Sequence, residues 1–259
     1  MSTAEPGTRI RVDGRPGTRP DVRVDTEADT RAHDRAGLVG AALTLGCALA
    51  FQVLSLTHPG VHLQPTDLPL PTAEFLLPLT REPHAVMLWT AFDFLFVLGY
   101  IALFVGAVRL TRAPVLGGVA LGAILTAGGL DAVENALLVT YAAQSALGAP
   151  IDGAPVTALY VVAALKTAAA TTAAGSLALA LPTTTRAQRA MVAAAAAFVL
   201  VNAAGTAFPA LGPVETLPIA VLTLLLLAAF RSRLRAPRTA VAPSSPTAPT
   251  PDLGKDLLT

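Results

Sequence analysis

Asp93, Asp131, Glu134 and Lys166 are the residues whose type and surroundings point to chemistry, because each lies inside a long apolar stretch. A charge at such depth in hydrocarbon is costly unless it is paired, protonated or hydrated, so intramembrane ionisable groups mark functional positions. The string Asp131-Ala132-Val133-Glu134-Asn135 sets three polar groups on neighbouring faces of one helical turn. Three carboxylates and one ammonium carry a formal excess of two negative charges. A proton, a bound cation or water must offset that excess in a low-dielectric layer. The layer holds neither histidine nor thiolate, so its ligands are oxygens and one amine, a set for hard cations rather than zinc. No resident metal ion or cofactor is assigned to it. Asp93, Asp131 and Glu134 are the candidate acid–base groups; Asn135, Lys166, Asn202, Tyr100 and Trp89 are the candidate binding residues.

Hairpin geometry brings these residues to one depth. The stretches holding Asp93 and Asp131 are joined by a short turn near Thr111 and Arg112, which sets Asp93 level with Leu130. That is one residue, about 1.5 Å of helical rise, from Asp131. A looser turn near Ala149 sets Lys166 level with Ala132, and the next, near Thr185, leaves Asn202 within about one helical turn of Lys166. Polar groups from four spans thus share a layer in the outer half of the bundle. Trp89, Asp93 and Tyr100 are spaced i, i+4 and i+11, a single stripe of one helix. In the third span, Gly118 and Gly122 form a GxxxG pair suited to close helix contact.

The elements that must position these groups are transmembrane helices. Hydrophobic residues make up 53% of the 259 and mean hydropathy is +0.61, too apolar for an ordinary soluble domain. Six apolar stretches stand out: Leu38–Leu56, Ala85–Val108, Val115–Ala142, Val156–Leu181, Ala190–Ala207 and Val214–Phe230. Each can cross a hydrocarbon core of about 30 Å as a helix. Alternation of period two is absent, which excludes a barrel. The predicted fold is therefore all-α, a polytopic bundle of six transmembrane helices over residues 37–236.

Residues 1–36 mix seven Arg and seven acidic residues with Pro, Gly and Thr, and are expected to form a disordered cytoplasmic arm. Residues 237–259, rich in Pro, Ser, Thr and Ala, are expected to form a disordered cytoplasmic tail. The first apolar stretch lies too far from Met1 for a signal peptide, so it is expected to be retained. Sixteen basic residues fall in the two tails and in the turns on their side, against Arg81 alone on the other. That asymmetry predicts a multi-pass plasma-membrane protein with both termini cytoplasmic. Cys47 is the single cysteine, which excludes a disulfide framework; in mid-span it reads as a small buried hydrophobe.

The outer connection Thr57–His84 carries His58-x-x-x-His62, the spacing of helical metal ligands. Pro59 and Gly60 between them argue against a helix, so no metal site is assigned there. The apolar patch Phe75–Leu77 is expected to lie on the membrane surface and cap the bundle.

Two strings carry a resemblance: Asp93-Phe94-Leu95-Phe96-Val97-Leu98-Gly99-Tyr100, and Gly129-Leu130-Asp131-Ala132-Val133-Glu134-Asn135-Ala136-Leu137-Leu138. They resemble an Asp…Tyr element and an Asp-x-x-Glu-Asn element on adjacent spans of small, functionally uncharacterised bacterial multi-pass proteins. The likeness covers spans one to four and implies a helical membrane protein without bringing an activity. Emopamil-binding-type sterol isomerases and small membrane-bound terpene cyclases also set acidic residues among helices. The first rely on an intramembrane histidine that this layer lacks, and no continuous motif matches the second.

Nucleotide-binding loops, HExxH, GxSxG and DDxxD-type strings are absent, which disfavours ATP-driven transporters, zinc proteases, esterases and prenyl transferases. Nothing points to nucleic acid; the partners implied are membrane lipid and a small lipophilic ligand. Three function classes remain. The first binds or moves a small lipophilic molecule, a proton or a cation. The second is an intramembrane acid–base enzyme acting on an isoprenoid or lipid, and the third a packing or partner protein without chemistry.

Overall fold

The computed structural model describes residues 26–59, 61, 72–150, 154–205 and 212–235. Seven α-helices occur among them and no strand: α1 (Thr26–Thr57), α2 (Thr72–Arg81), α3 (Pro83–Ala107), α4 (Pro114–Ala146), α5 (Ala154–Ala180), α6 (Arg186–Gly205) and α7 (Gly212–Arg235). All but the short α2 are long and apolar enough to cross a bilayer, giving the six spans of a multi-pass membrane protein.

Local sequence explains where these helices start and stop. Pro83 and Pro114 open α3 and α4 at the first helical position, where the missing N–H is not needed. Thr185 and Gln188 cap α6 reciprocally: the Gln188 amide donates to Thr185 Oγ1, and the Thr185 amide donates to Gln188 Oε1. Helix α4 ends at Gly148, whose φ of 70° closes a Schellman turn in which the Ala149 amide reaches the Gln144 carbonyl at 2.9 Å. Within the spans, Thr44, Thr90, Thr126, Thr140, Thr172 and Thr223 each bond the carbonyl four residues earlier. No hydroxyl of this group is left bare in an apolar setting.

The spans close a ring in chain order. Helix α1 packs on α3, α3 on α4, α4 on α5, α5 on α6, α6 on α7, and α7 returns to α1. The tightest seam lies between α1 and α3. A Cβ added at Gly40 would stand 2.3 Å from the Leu103 backbone nitrogen, and one at Gly106 would stand 2.6 Å from the Gly37 Cα. Only glycine permits backbones that close. Gly118 and Gly122 face open space instead, so the GxxxG pair of α4 makes no helix contact here.

Two boundaries differ from expectation. The arm expected to be disordered over residues 1–36 is helical from Thr26, because Asp34 is buried against α7, where Arg233 Nε donates to its Oδ2 at 3.1 Å. A charge read as solvated is thus part of the packing. Helix α7 begins at Gly212, two residues ahead of the expected stretch from Val214, which puts Pro218 inside it. Residues 1–25 and the tail expected over 237–259 lie outside the described residues.

Buried apolar side chains form two clusters. One, at the end of the bundle that holds Arg109, Arg112, Arg186 and Arg233, gathers residues such as Leu103, Phe104, Ile124, Leu177, Leu226 and Phe230. The other, at the opposite end, gathers Leu79, Val86, Leu138, Tyr141, Val156 and Leu159. Leu79 of α2 is fully buried in it, so α2 covers that end of the bundle. His58, after α1, and Glu82, between α2 and α3, are 2.5 Å apart and tie the cover down. His62 lies outside the described residues.

Candidate functional site

Between the two apolar clusters lies the polar layer. On α4 the order is Ile124 and Ala127 of the first cluster, then Asp131, Glu134 and Asn135, then Leu138 and Tyr141 of the second. On α5 the order reverses, with Val156 and Leu159 before Lys166 and Ala173 and Leu177 after it. Antiparallel packing of α4 and α5 therefore brings the charges level, and rotation about each axis decides which of them touch.

Lys166 touches two acids. Its Nζ donates to Asp131 Oδ1 at 3.0 Å and lies 2.6 Å from Glu134 Oε2. At 2.6 Å the ammonium and the Glu134 carboxylate are in direct, charge-assisted contact. Both carboxylates are nearly sealed, at 7% and 4% side-chain exposure, whereas Lys166 keeps 23%. The Tyr100 hydroxyl, from α3, donates to the second oxygen of Asp131 at 3.0 Å. Asp131 is the hub, joining α3, α4 and α5 through charge-assisted bonds.

Asp93 stands beside this triad without joining it. It interacts with the Asp131 and Lys166 charges, and its nearest polar neighbour is Asn135. No Lys, Arg or His nitrogen of the described residues lies within ion-pair distance of it. Asn135 is 1% exposed, and its side-chain amide lies within reach of the Asp93 carboxylate. Trp89 stacks on Phe51 of α1, with centroids 4.8 Å apart. Phe51 meets Phe96 edge-on at 5.8 Å, and Phe96 meets Tyr100 edge-on at 5.5 Å.

The structure thus brings Asp93, Tyr100, Asp131, Glu134, Asn135 and Lys166 together, with Trp89 one turn away. The Asn202 side chain donates to the carbonyl of Phe198 on its own helix at 3.0 Å, and α6 packs on α5 and α7. Phe51 and Phe96 are additions to the expected set. Phe96 was visible as the i+7 member of the Trp89 stripe, whereas Phe51 belongs to another helix and had no such signal. Among the described residues no group of three His, Cys, Asp or Glu side chains is arranged to hold a metal ion.

Removing the Tyr100 hydroxyl tests the hub. Tyr100→Phe should lower stability by about 1.5–3 kcal/mol, the range for a hydrogen bond to a charged group. Thermal unfolding in detergent reads the loss, and an unchanged transition would mean that Tyr100 and Asp131 do not bond.

Comparison with protein-family models, curated proteins and solved structures finds no match for this chain.

Proposed function

We propose that this membrane protein uses its buried acid–lysine layer to bind or move a small lipophilic molecule, a proton or a cation. The observation that carries the reading is the division of charge: one lysine is shared by Asp131 and Glu134, while Asp93 has no cation of its own. A layer built only to lock helix register has no use for a third acid beside two that already share one lysine. Infrared difference spectra of the reconstituted protein should contain carboxyl bands that respond to pH or to cation exchange. Those bands should be lost in Asp93→Asn or Asp131→Asn. Spectra without any carboxyl response would reduce the layer to a packing network.

The hydrogen-bonded series Tyr100–Asp131–Lys166 favours a second reading, an intramembrane acid–base enzyme acting on an isoprenoid or lipid. Mass-spectrometric comparison of lipid extracts from cells with and without the chain separates the two: an enzyme alters a lipid species, a carrier or binder does not.

The arginine asymmetry supports a plasma-membrane protein with both termini in the cytoplasm. A reporter fused at the C-terminus should then behave as cytoplasmic and one placed after Gln144 as external. Identical behaviour of both fusions would sink this orientation.

A further inference from the structure

We infer that Asp93, faced by Asn135 and flanked by Phe51, Trp89, Phe96 and Tyr100, is a binding site for a hydrophobic organic amine in its ammonium form. The inference rests on the reading of the layer as a ligand-binding site and names the ligand's chemistry.

Trp89, Asp93, Phe96 and Tyr100 occupy positions i, i+4, i+7 and i+11 of α3, so one stripe carries three aromatic rings and one carboxylate. Phe51 of α1 bridges Trp89 and Phe96, which makes the four rings a continuous run from Trp89 to Tyr100. Phe51, Trp89, Asp93, Phe96 and Tyr100 all keep part of their surface accessible, while Asn135 behind them is sealed. A carboxylate lacking an internal cation attracts a positive charge, and aromatic faces attract the same charge while accepting an apolar body.

Inorganic cations fit less well. Calcium and magnesium ask for six or more oxygen ligands, and the neighbouring acids are already held by Lys166. The Asn135 amide lies within reach of the Asp93 carboxylate but brings no positive charge, so the cation must come from the ligand. The chemical class is therefore a lipophilic amine.

Trp89 is the single tryptophan of the chain, so intrinsic fluorescence reports this position without labelling. In nanodiscs, the lipophilic amines sphingosine and dodecylamine should each shift Trp89 emission saturably. Dodecanol, equally apolar and uncharged, should give only the linear change of partition into lipid. Asp93→Asn should weaken sphingosine binding by at least about tenfold, as loss of the only charge partner requires. If Asp93→Asn does not assemble, Phe51→Leu keeps the charge and should weaken both amines by about threefold or more.

Equal responses to sphingosine and dodecanol, or an Asp93→Asn protein that binds sphingosine normally, would overturn the inference. The infrared spectra separate its failure from that of the broader reading. Carboxyl bands that respond to pH or cations without any amine response remove the amine site alone, whereas silence in both experiments removes both.

Discussion

Lys166→Met should lower the stability of the bundle by about 3–5 kcal/mol, the loss seen when one partner of a buried ion pair is removed. The reason is geometric: one ammonium serves two carboxylates, 3.0 Å and 2.6 Å away, and its loss leaves both uncompensated at 7% and 4% exposure. Adding Asp131→Asn should restore only part of the loss, because Glu134 would remain charged and unpaired. Adding Glu134→Gln as well should restore most of it, since replacing a whole buried ionic group is often nearly neutral. Equilibrium unfolding in mixed detergent micelles would read the series. Strictly additive losses across single, double and triple variants would show that the side chains do not interact.

Gly40→Ala should be nearly as disruptive, despite adding a single methyl group. The new Cβ would stand 2.3 Å from the Leu103 nitrogen and 2.6 Å from the Gly99 oxygen, both of them backbone atoms that cannot rotate aside. Helices α1 and α3 would have to separate along their closest seam, at a cost of about 1–3 kcal/mol or more. Gly118→Ala and Gly122→Ala serve as controls, because nothing stands within 4 Å of either new methyl group. They should change stability by less than about 0.5 kcal/mol. Thermal unfolding of the three variants decides the matter, and equal effects at Gly40 and Gly118 would contradict the packing described.

These contrasts show which parts of the molecule were legible in the chain. The number of spans and the level of the charges were, because hydrophobic runs delimit spans and a fixed rise per residue sets level. The common level of Lys166, Asp131 and Glu134 followed from that arithmetic. Rotation about the helix axis was not legible. It depends on which small residues seat against which neighbour, and Gly118-x-x-x-Gly122 looks as suitable in sequence as the Gly40–Gly99 seam that forms. The pairing of Asp34 with Arg233 was hidden for another reason: the partners are 199 residues apart, and Asp34 lies in the arm expected to be disordered.

That separation has a consequence for how the protein is made. In a ring assembled in chain order, α1 can seat against α3 early in synthesis, but its other flank waits for α7. At about 5–20 residues per second, Arg233 follows Asp34 out of the ribosome by roughly 10–40 s. For that interval the nascent bundle is an open arc, with a carboxylate on α1 awaiting its arginine and Gly37 awaiting the Phe230 ring that covers it. A chain cut short before α7 would keep that edge open, with the Asp34 carboxylate unpaired and Gly37 uncovered.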